Sequence, residues 1–290
     1  MLICKWEKLP AEMQTEEVRK YYNILRKKNF SLFWKRVFDI VVSALMLVIL
    51  SPLFIILAIA IKIDSRGPVF YRQERVTQYG KRFRIFKFRS MRTGADKGSQ
   101  ITVAKDDRIT KVGKFIRKFR LDEISQLIDI LRGTMTFVGT RPEVPKYVEK
   151  YSPEMVATLL LPAGVTSRAS IYYKDEAELL SEAEDADKVY MEKILPAKMY
   201  YNLKAIEKFG FWRDIKTMFM TVFAVLGKEY KGDYVEPSGV GDCTEQSSEG
   251  GQESSEGGQS NSSSDYIEPT RETIVAKDEV EITKNIRGGL

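Results

Sequence analysis

The sequence predicts an α+β protein, mainly helical, with an N-terminal re-entrant membrane helix hairpin, interfacial amphipathic helices and one small cytosolic domain. Three observations predict it. An apolar run at residues 40–61 is broken by Ser51-Pro52, aromatic and basic stretches of helical character lie near both ends of the main body, and a short alternating segment reads as a strand pair. At 290 residues and 43% hydrophobic content, the chain can bury one medium core besides the apolar run.

Residues 1–36 form an amphipathic N-terminal region. Residues 16–36 read as a helix carrying Tyr21, Tyr22, Leu25, Phe30, Phe33 and Trp34 with seven basic residues between Arg19 and Arg36. Aromatic and cationic side chains suit lipid headgroups, so this helix is expected at the interface; packing on the soluble domain is the competing reading.

Residues 37–63 form the membrane segment. The 22 residues 40–61 contain only Ser43, Ser51 and Pro52 as non-apolar members, about the length that crosses the hydrocarbon core. Pro52 lacks an N–H and its ring clashes with the preceding turn, so a bend is expected there. Lys35 and Arg36 precede the run, and Lys62 and Arg66 follow it. Lys and Arg mark cytoplasmic flanks, so both ends read as cytoplasmic, favouring a hairpin of roughly eleven residues per arm over a spanning helix.

Residues 64–230 form the domain. Val69, Tyr71, Phe83, Ile85, Phe86 and Phe88 suggest short strands over 69–92, joined by a turn at Tyr79-Gly80. Helix is expected over 188–226, where Phe209, Phe211, Trp212, Met218, Phe219 and Phe223 fit a second interfacial surface or a core face equally well. Residues 231–290 form an acidic Ser/Gly-rich tail, expected to be disordered, with a seven-residue unit at 247–253 and again at 254–260.

Charge is distributed unevenly. Residues 66–120 hold 17 Lys or Arg against 4 acidic residues, while 231–290 hold 5 against 13. The basic half should meet anions: nucleic acid, phospholipid or phosphorylated small molecules. Two cysteines at opposite ends suggest neither a disulfide framework nor a zinc site, and fit a reducing compartment. The absence of histidine excludes a histidine triad, an imidazole proton shuttle and the usual imidazole metal sites.

Acid–base or nucleophilic work is therefore left to carboxylates, Lys, Ser, Thr, Tyr or Cys. Asp122-Glu123 follows the basic Arg117-Lys118-Phe119-Arg120 and leads into an apolar stripe, Ile124, Leu127, Ile128 and Leu131, ended by Gly133. Two readings are open. The pair caps a helix, or Asp122 attacks phosphorus while cations such as Lys87 and Arg89 neutralise the electrophile and a neighbouring carboxylate holds a divalent metal. Magnesium suits the second reading, since it takes one or two carboxylates plus substrate phosphates. Arg141, in Gly139-Thr140-Arg141-Pro142, reads equally as a phosphate grip and as a solvated turn residue.

The landmarks in order are Lys35-Arg36-Val37-Phe38-Asp39, Ser51-Pro52, Gly67-Pro68-Val69-Phe70 and Phe86-Lys87-Phe88-Arg89-Ser90-Met91. Then come Asp107-Arg108-Ile109-Thr110-Lys111-Val112-Gly113, Leu121-Asp122-Glu123 with Gln126-Leu127, and Phe137-Val138-Gly139-Thr140-Arg141-Pro142. In this series the chain resembles the monotopic polyprenyl-phosphate phosphoglycosyl transferases, bacterial sugar transferases that begin surface glycan assembly. Thr140 stands where that family commonly has proline.

The resemblance implies a catalytic domain on the cytoplasmic face of the bacterial inner membrane. It implies Asp122 as the nucleophile on a nucleotide sugar, with UDP the expected nucleotide, and polyprenyl phosphate as acceptor of the phosphosugar. Glu123 would position the nucleophile, Asp122 and Glu123 would hold Mg2+, Lys87, Arg117 and Arg141 would bind phosphate, and Ser51 and Pro52 would break the membrane helix. Membrane lipid and downstream glycosyltransferases are the implied partners, and nucleic acid is not expected. The rival from another class is a non-catalytic membrane-anchored adaptor binding anionic lipid or nucleic acid.

Overall fold

The computed structural model describes residues 3–94, 108–174, 176, 180, 185–228 and 230; the acidic tail at 231–290 lies outside the described residues. The fold is mainly helical α+β. Helix α1 (Glu16–Arg26) starts at Thr15, whose hydroxyl accepts from the Val18 N–H at 3.4 Å, with Glu16 and Glu17 in the turn where the helix dipole favours anions. Val18, Tyr21, Tyr22 and Leu25 follow helical spacing and are buried against Leu203, Ile206 and Phe209. This helix therefore packs on the domain, with its tyrosines in the core.

Lys27 and Lys28 separate α1 from α2 (Asn29–Ile49), so the single helix expected over 16–36 is two, and the second is continuous with the apolar run. Phe30, Phe33 and Trp34, on the first turns of α2, are exposed. After Leu50 comes α3 (Ser51–Asp64), and the axis bends by 61° between the two. Pro52 explains the break: it is tolerated in the first turn of α3, where an N–H needs no partner, but cannot continue the α2 ladder. The Ser51 hydroxyl donates to the Val48 carbonyl at 2.8 Å, satisfying one acceptor freed by the break. Among the described residues no single helix is long and apolar enough to cross a membrane; α2 and α3 meet that test only as a bent pair.

The inner faces of both helices belong to the domain's core. Phe38, Val42 and Met46 of α2 pack on Ile130, Met135 and Phe137, while Leu57 and Ile61 of α3 pack on Phe88 and Ile116. Leu32, Lys35, Asp39 and Ser43 recur at helical spacing on α2 and are all buried. Lys35 donates to the Asp214 carboxylate at 2.6 Å and to the Val138 carbonyl at 2.8 Å. Arg36 donates to the Ile130 and Leu131 carbonyls at 2.6 and 3.0 Å. Asp39 accepts from the Thr136 hydroxyl at 2.7 Å and from the Phe137 N–H at 3.3 Å. The basic pair that read as a cytoplasmic flank is thus bonded to the domain, and Lys35 is only 3% exposed.

The expected strand pair is present. β1 (Phe70–Val76) and β2 (Arg82–Phe88) are antiparallel, Phe70 opposite Phe88, around a turn in which Tyr79 (φ 60°) and Gly80 (φ 71°) are left-handed. Helices α4 (Lys111–Lys118) and α5 (Leu127–Arg132) follow. A second, parallel pair joins β3 (Met135–Val138) to β4 (Ala163–Thr166), a pairing the sequence reading did not anticipate. Gly164, inside β4, is required where that strand passes Gly139: a Cβ there would fall 2.2 Å from the Gly139 nitrogen. Then come α6 (Arg168–Tyr172), α7 (Leu195–Glu207) and α8 (Phe211–Val225), so the helix expected over 188–226 is interrupted at residues 208–210.

Lys35→Met would leave Asp214, whose side chain is 17% exposed, without its cation and the Val138 carbonyl without its donor. Breaking a buried pair from one side costs about 3 kcal/mol or more. Chemical denaturation in detergent is expected to read that loss, while Lys62→Met, at an exposed site on α3, should stay within about 0.5 kcal/mol of the parent.

Candidate active site

Asp122 and Glu123 occupy a 3-10 turn, Leu121–Gln126, that leads into α5. The residue before that turn is Arg120, at φ 51°, a left-handed conformation that a bulky residue adopts only when its surroundings impose it. Neither carboxylate is the cap: both lie in the first turn, so the capping reading of Asp122 does not describe this structure. Ser125 donates to the Asp122 carbonyl at 3.2 Å, tightening the turn.

Strand β2 is fastened to the same turn and to α5 behind it. The Phe86 N–H donates to the Asp129 carboxylate at 2.8 Å, and the Phe86 carbonyl accepts from the Ser125 hydroxyl at 3.1 Å. Clamped on both sides, Phe86 fixes the neighbouring Lys87 within electrostatic reach of both carboxylates. Asp129 and Ser125 are positioning residues missed from sequence. The available signal was a carboxylate embedded between Ile128 and Ile130 in an apolar stripe, where an aspartate is buried only with partners.

Arg141 comes from the loop after β3. The Pro142 carbonyl accepts from Arg75 at 3.0 Å, the Glu143 carbonyl accepts from the Val76 N–H at 3.0 Å, and the Thr140 carbonyl accepts from the Gly164 N–H at 2.8 Å. Held at three carbonyls flanking Arg141, the loop delivers its guanidinium to Glu123, with which it forms a hydrogen-bonded ion pair. Behind it, Glu143 accepts from the Tyr190 hydroxyl at 2.6 Å and lies 3.7 Å from Lys198, which also pairs with Glu176 at 2.9 Å. This buried network, also unforeseen, begins two residues from Arg141.

The two carboxylates titrate in opposite directions. For Asp122 burial is the largest effect and raises its pKa above the usual aspartate value, against Lys87, Arg117 and Arg141. Glu123 is also pushed up by burial, but Arg141 and then Lys87 overrule that and hold it at about 2. Burial, then the nearby Arg141, push Lys87 down to about 8, although Glu123 and Asp122 pull it up. The structure thus brings Asp122, Glu123, Lys87, Arg117 and Arg141 into one electrostatic unit, whereas Ser51 and Pro52 sit apart at the α2–α3 bend.

Glu123 and Arg141 also line a groove of about 480 Å³. Lys118, Arg120 and Lys174 share its polar end, and Met46, Leu127, Ile130, Phe137, Ala224 and Val225 its apolar walls. Among the described residues no group of three or more His, Cys, Asp or Glu side chains could cage a metal. Two adjacent carboxylates fit magnesium only where phosphate oxygens complete its shell.

Fold and site define a class: a helical α+β protein with an apolar helix pair whose carboxylate dyad is set among cations, a centre built for anionic groups. The chain belongs to the bacterial sugar transferase family, whose model matches residues 30–228. It is 36% identical over 200 residues to a UDP-glucose:undecaprenyl-phosphate glucose-1-phosphate transferase of Klebsiella pneumoniae, covering 67% of this chain and 40% of that protein. A protein of the same description from Caulobacter vibrioides is 34% identical over 197 residues, covering 66% and 69%. A UDP-N-acetylgalactosamine-undecaprenyl-phosphate N-acetylgalactosaminephosphotransferase of Aeromonas hydrophila is 32% identical over 198 residues, covering 67% and 44%. The chain therefore spans about two-fifths of the length of several curated relatives it matches.

The depressed pKa of Lys87 gives a pH signature. The folded lysine is cationic below about 8 and neutral above, whereas an unfolded one stays charged to about 10.4. Affinity for a diphosphate diester should be nearly full at about pH 7, about half-lost at about pH 8, and lower by roughly fivefold or more at about pH 9. Lys87→Arg, permanently charged, should give a flat profile by calorimetry. A wild-type profile that is already flat would take Lys87 out of the anion site.

Proposed function

We propose that this chain transfers a sugar 1-phosphate from a nucleotide-activated sugar, with UDP the nucleotide the relatives' descriptions favour, to polyprenyl phosphate. In the relatives the named lipid is undecaprenyl phosphate. The observation that carries the reading is the Asp122–Glu123 dyad with Lys87, Arg117 and Arg141 around it, in a site lacking histidine.

A carboxylate oxygen of Asp122 attacks the sugar-proximal phosphorus, the bond to the bridging oxygen breaks, and nucleoside monophosphate leaves with the electron pair. The product is an acyl phosphate carrying the sugar. Lys87, Arg117 and Arg141 stabilise charge on the reacting phosphoryl oxygens, where fixed cations in a site of low dielectric act most strongly. An oxygen of the polyprenyl phosphate then attacks the same phosphorus and expels the Asp122 carboxylate. Neither step needs an imidazole base, because nucleophile and acceptor both react as anions. Glu123, held ionised by Arg141, keeps that arginine oriented. Asp122 and Glu123, with oxygens of the donor's diphosphate, are the groups that would hold Mg2+, which would supply further neutralisation of that diphosphate.

The exposed faces of α2 and α3 support seating in a bilayer: Val41, Leu45, Val48 and Ile49 on one, Ile55, Ile56, Ile59 and Ile63 on the other. The 61° bend at Pro52 supports a re-entrant hairpin entering one leaflet, a reading in which donor and acceptor meet at the cytoplasmic face of the bacterial inner membrane. The product would then pass to downstream glycosyltransferases of exopolysaccharide, capsule or glycoprotein assembly.

Asp122→Asn should lower transfer by about 10⁴-fold or more and abolish protein labelling by a donor radiolabelled in its sugar-proximal phosphate, with membrane association retained. Undiminished turnover in that variant would remove Asp122 from the nucleophile's role. Labelling that survives denaturation in the parent and is absent in the variant is the expected signature of the acyl phosphate.

A further inference from the structure

Helix α8 presents two unlike faces. Inward, Asp214 pairs with Lys35, Thr217 is buried, and the Thr221 hydroxyl lies 2.7 Å from that of Thr166. Outward, Trp212 is 79% and Phe219 62% exposed, joined by Val222 and Phe223. Large exposed apolar side chains at this density mark a surface that meets something other than water. Helix α2, which contacts α8 through the Lys35–Asp214 ion pair and the Phe38–Phe211 ring contact, also exposes apolar side chains.

A groove that includes Glu123 of the dyad is lined by α8, by the dyad's turn and α5, and by one residue of α2. Thr221, Ala224 and Val225 of α8 line it together with Ile124, Leu127 and Ile130 and with Met46 of α2. The polar end holds Arg141, Lys118 and Arg120, so the groove pairs cations at its head with apolar walls behind them. That polarity matches a single amphiphile with a phosphate head and a hydrocarbon tail. A volume of about 480 Å³ suits the head and the first few isoprenoid units, as for a drug-sized ligand, leaving the remaining tail outside.

We propose that this groove beside α8 is the acceptor channel, in which Ala224 and Val225 guide the first isoprenoid units of polyprenyl phosphate toward Arg141 and Glu123. The proposal rests on the transferase reading above and adds to it a route and the helix that walls it. The tail enters from the lipid beside α8, and the phosphate stops where the groove becomes cationic, beside the dyad. Asp122 does not line the groove, whereas its neighbour Glu123 does. The strongest cation acting on Asp122 is Lys87, on β2. Donor phosphates held by Lys87 and an acceptor held in the groove would therefore meet the dyad from different sides.

The test uses the full chain in lipid nanodiscs. In a two-step transfer through a covalent intermediate, kcat/KM for the donor reports the first step and kcat/KM for the acceptor the second. Ala224→Trp, which narrows the channel, should lower the acceptor's kcat/KM about tenfold or more while leaving the donor's within about twofold. A polyprenyl phosphate carrying a diazirine on its first isoprene unit should crosslink to the peptide containing Thr221, Ala224 and Val225, and Ala224→Trp should reduce that yield. Equal loss for both substrates, no loss for the acceptor, crosslinks confined to other segments, or a dimer interface that shields α8 from the probe would each overturn the proposal. Crosslinking reads the groove without turnover, so a parent chain that releases no nucleoside monophosphate would defeat the transferase reading separately.

Discussion

The structure depends on one constraint: an apolar helix pair is fixed to a polar domain by ionic groups buried on its own first helix. Lys35 and Asp39 sit one helical turn apart, face inward, and bind partners from α8 and β3. Desolvating such groups costs more than an apolar contact would, so a buried ion pair is weak as a source of stability and strong as a means of selecting one arrangement. An all-apolar α2 could slide or rotate against Ile130 and Phe137 with little penalty. Lys35, Arg36 and Asp39 define one register, and with it the height of the dyad relative to the bend at Pro52.

A second requirement is to hold several like charges together before any ligand arrives. Lys87, Arg117 and Arg141 repel one another, and burial raises that repulsion. Backbone fastening supplies the restraint. Phe86 is gripped at its N–H and its carbonyl, and the Arg141 loop at three carbonyls, so neither cation can relax into solvent without breaking several hydrogen bonds. The left-handed Arg120 adds local strain at the same point, in keeping with a site whose geometry is imposed from outside.

Much of this was legible in the sequence, for identifiable reasons. The strand pair announced itself by alternation and by Tyr79-Gly80, the helix break by Pro52, and the dyad by its basic flank and the apolar stripe behind it. The helix over 16–36 failed as one element because composition describes a face but not its partner: Tyr21 and Tyr22 meet Ile206 and Phe209, some 180 residues away, by contacts no local pattern encodes. β3 and β4 escaped because four-residue buried parallel strands show no alternation. Lys35 and Arg36 were legible as charge flanking an apolar run, but their second role was not: only the partners Asp214, Ile130 and Leu131 reveal a clamp.

Glu123 and Lys87 are both shifted down, which favours the charged form of the first and the neutral form of the second, and this bears on how the site handles an anion. Arg141 is matched by Glu123, so it remains charged and aimed while the site is empty of phosphate, and its planar fork keeps further donors available. Lys87 is under-compensated: burial and Arg141 outweigh the two carboxylates, and its pKa falls to about 8. An arriving diphosphate supplies the missing negative charge, which favours the protonated lysine over the neutral one. Binding and protonation of Lys87 are therefore linked with the same sign, each strengthening the other. The protein accordingly holds one cation permanently set and a second whose charge the ligand itself completes, and the second is the cation that acts most strongly on Asp122.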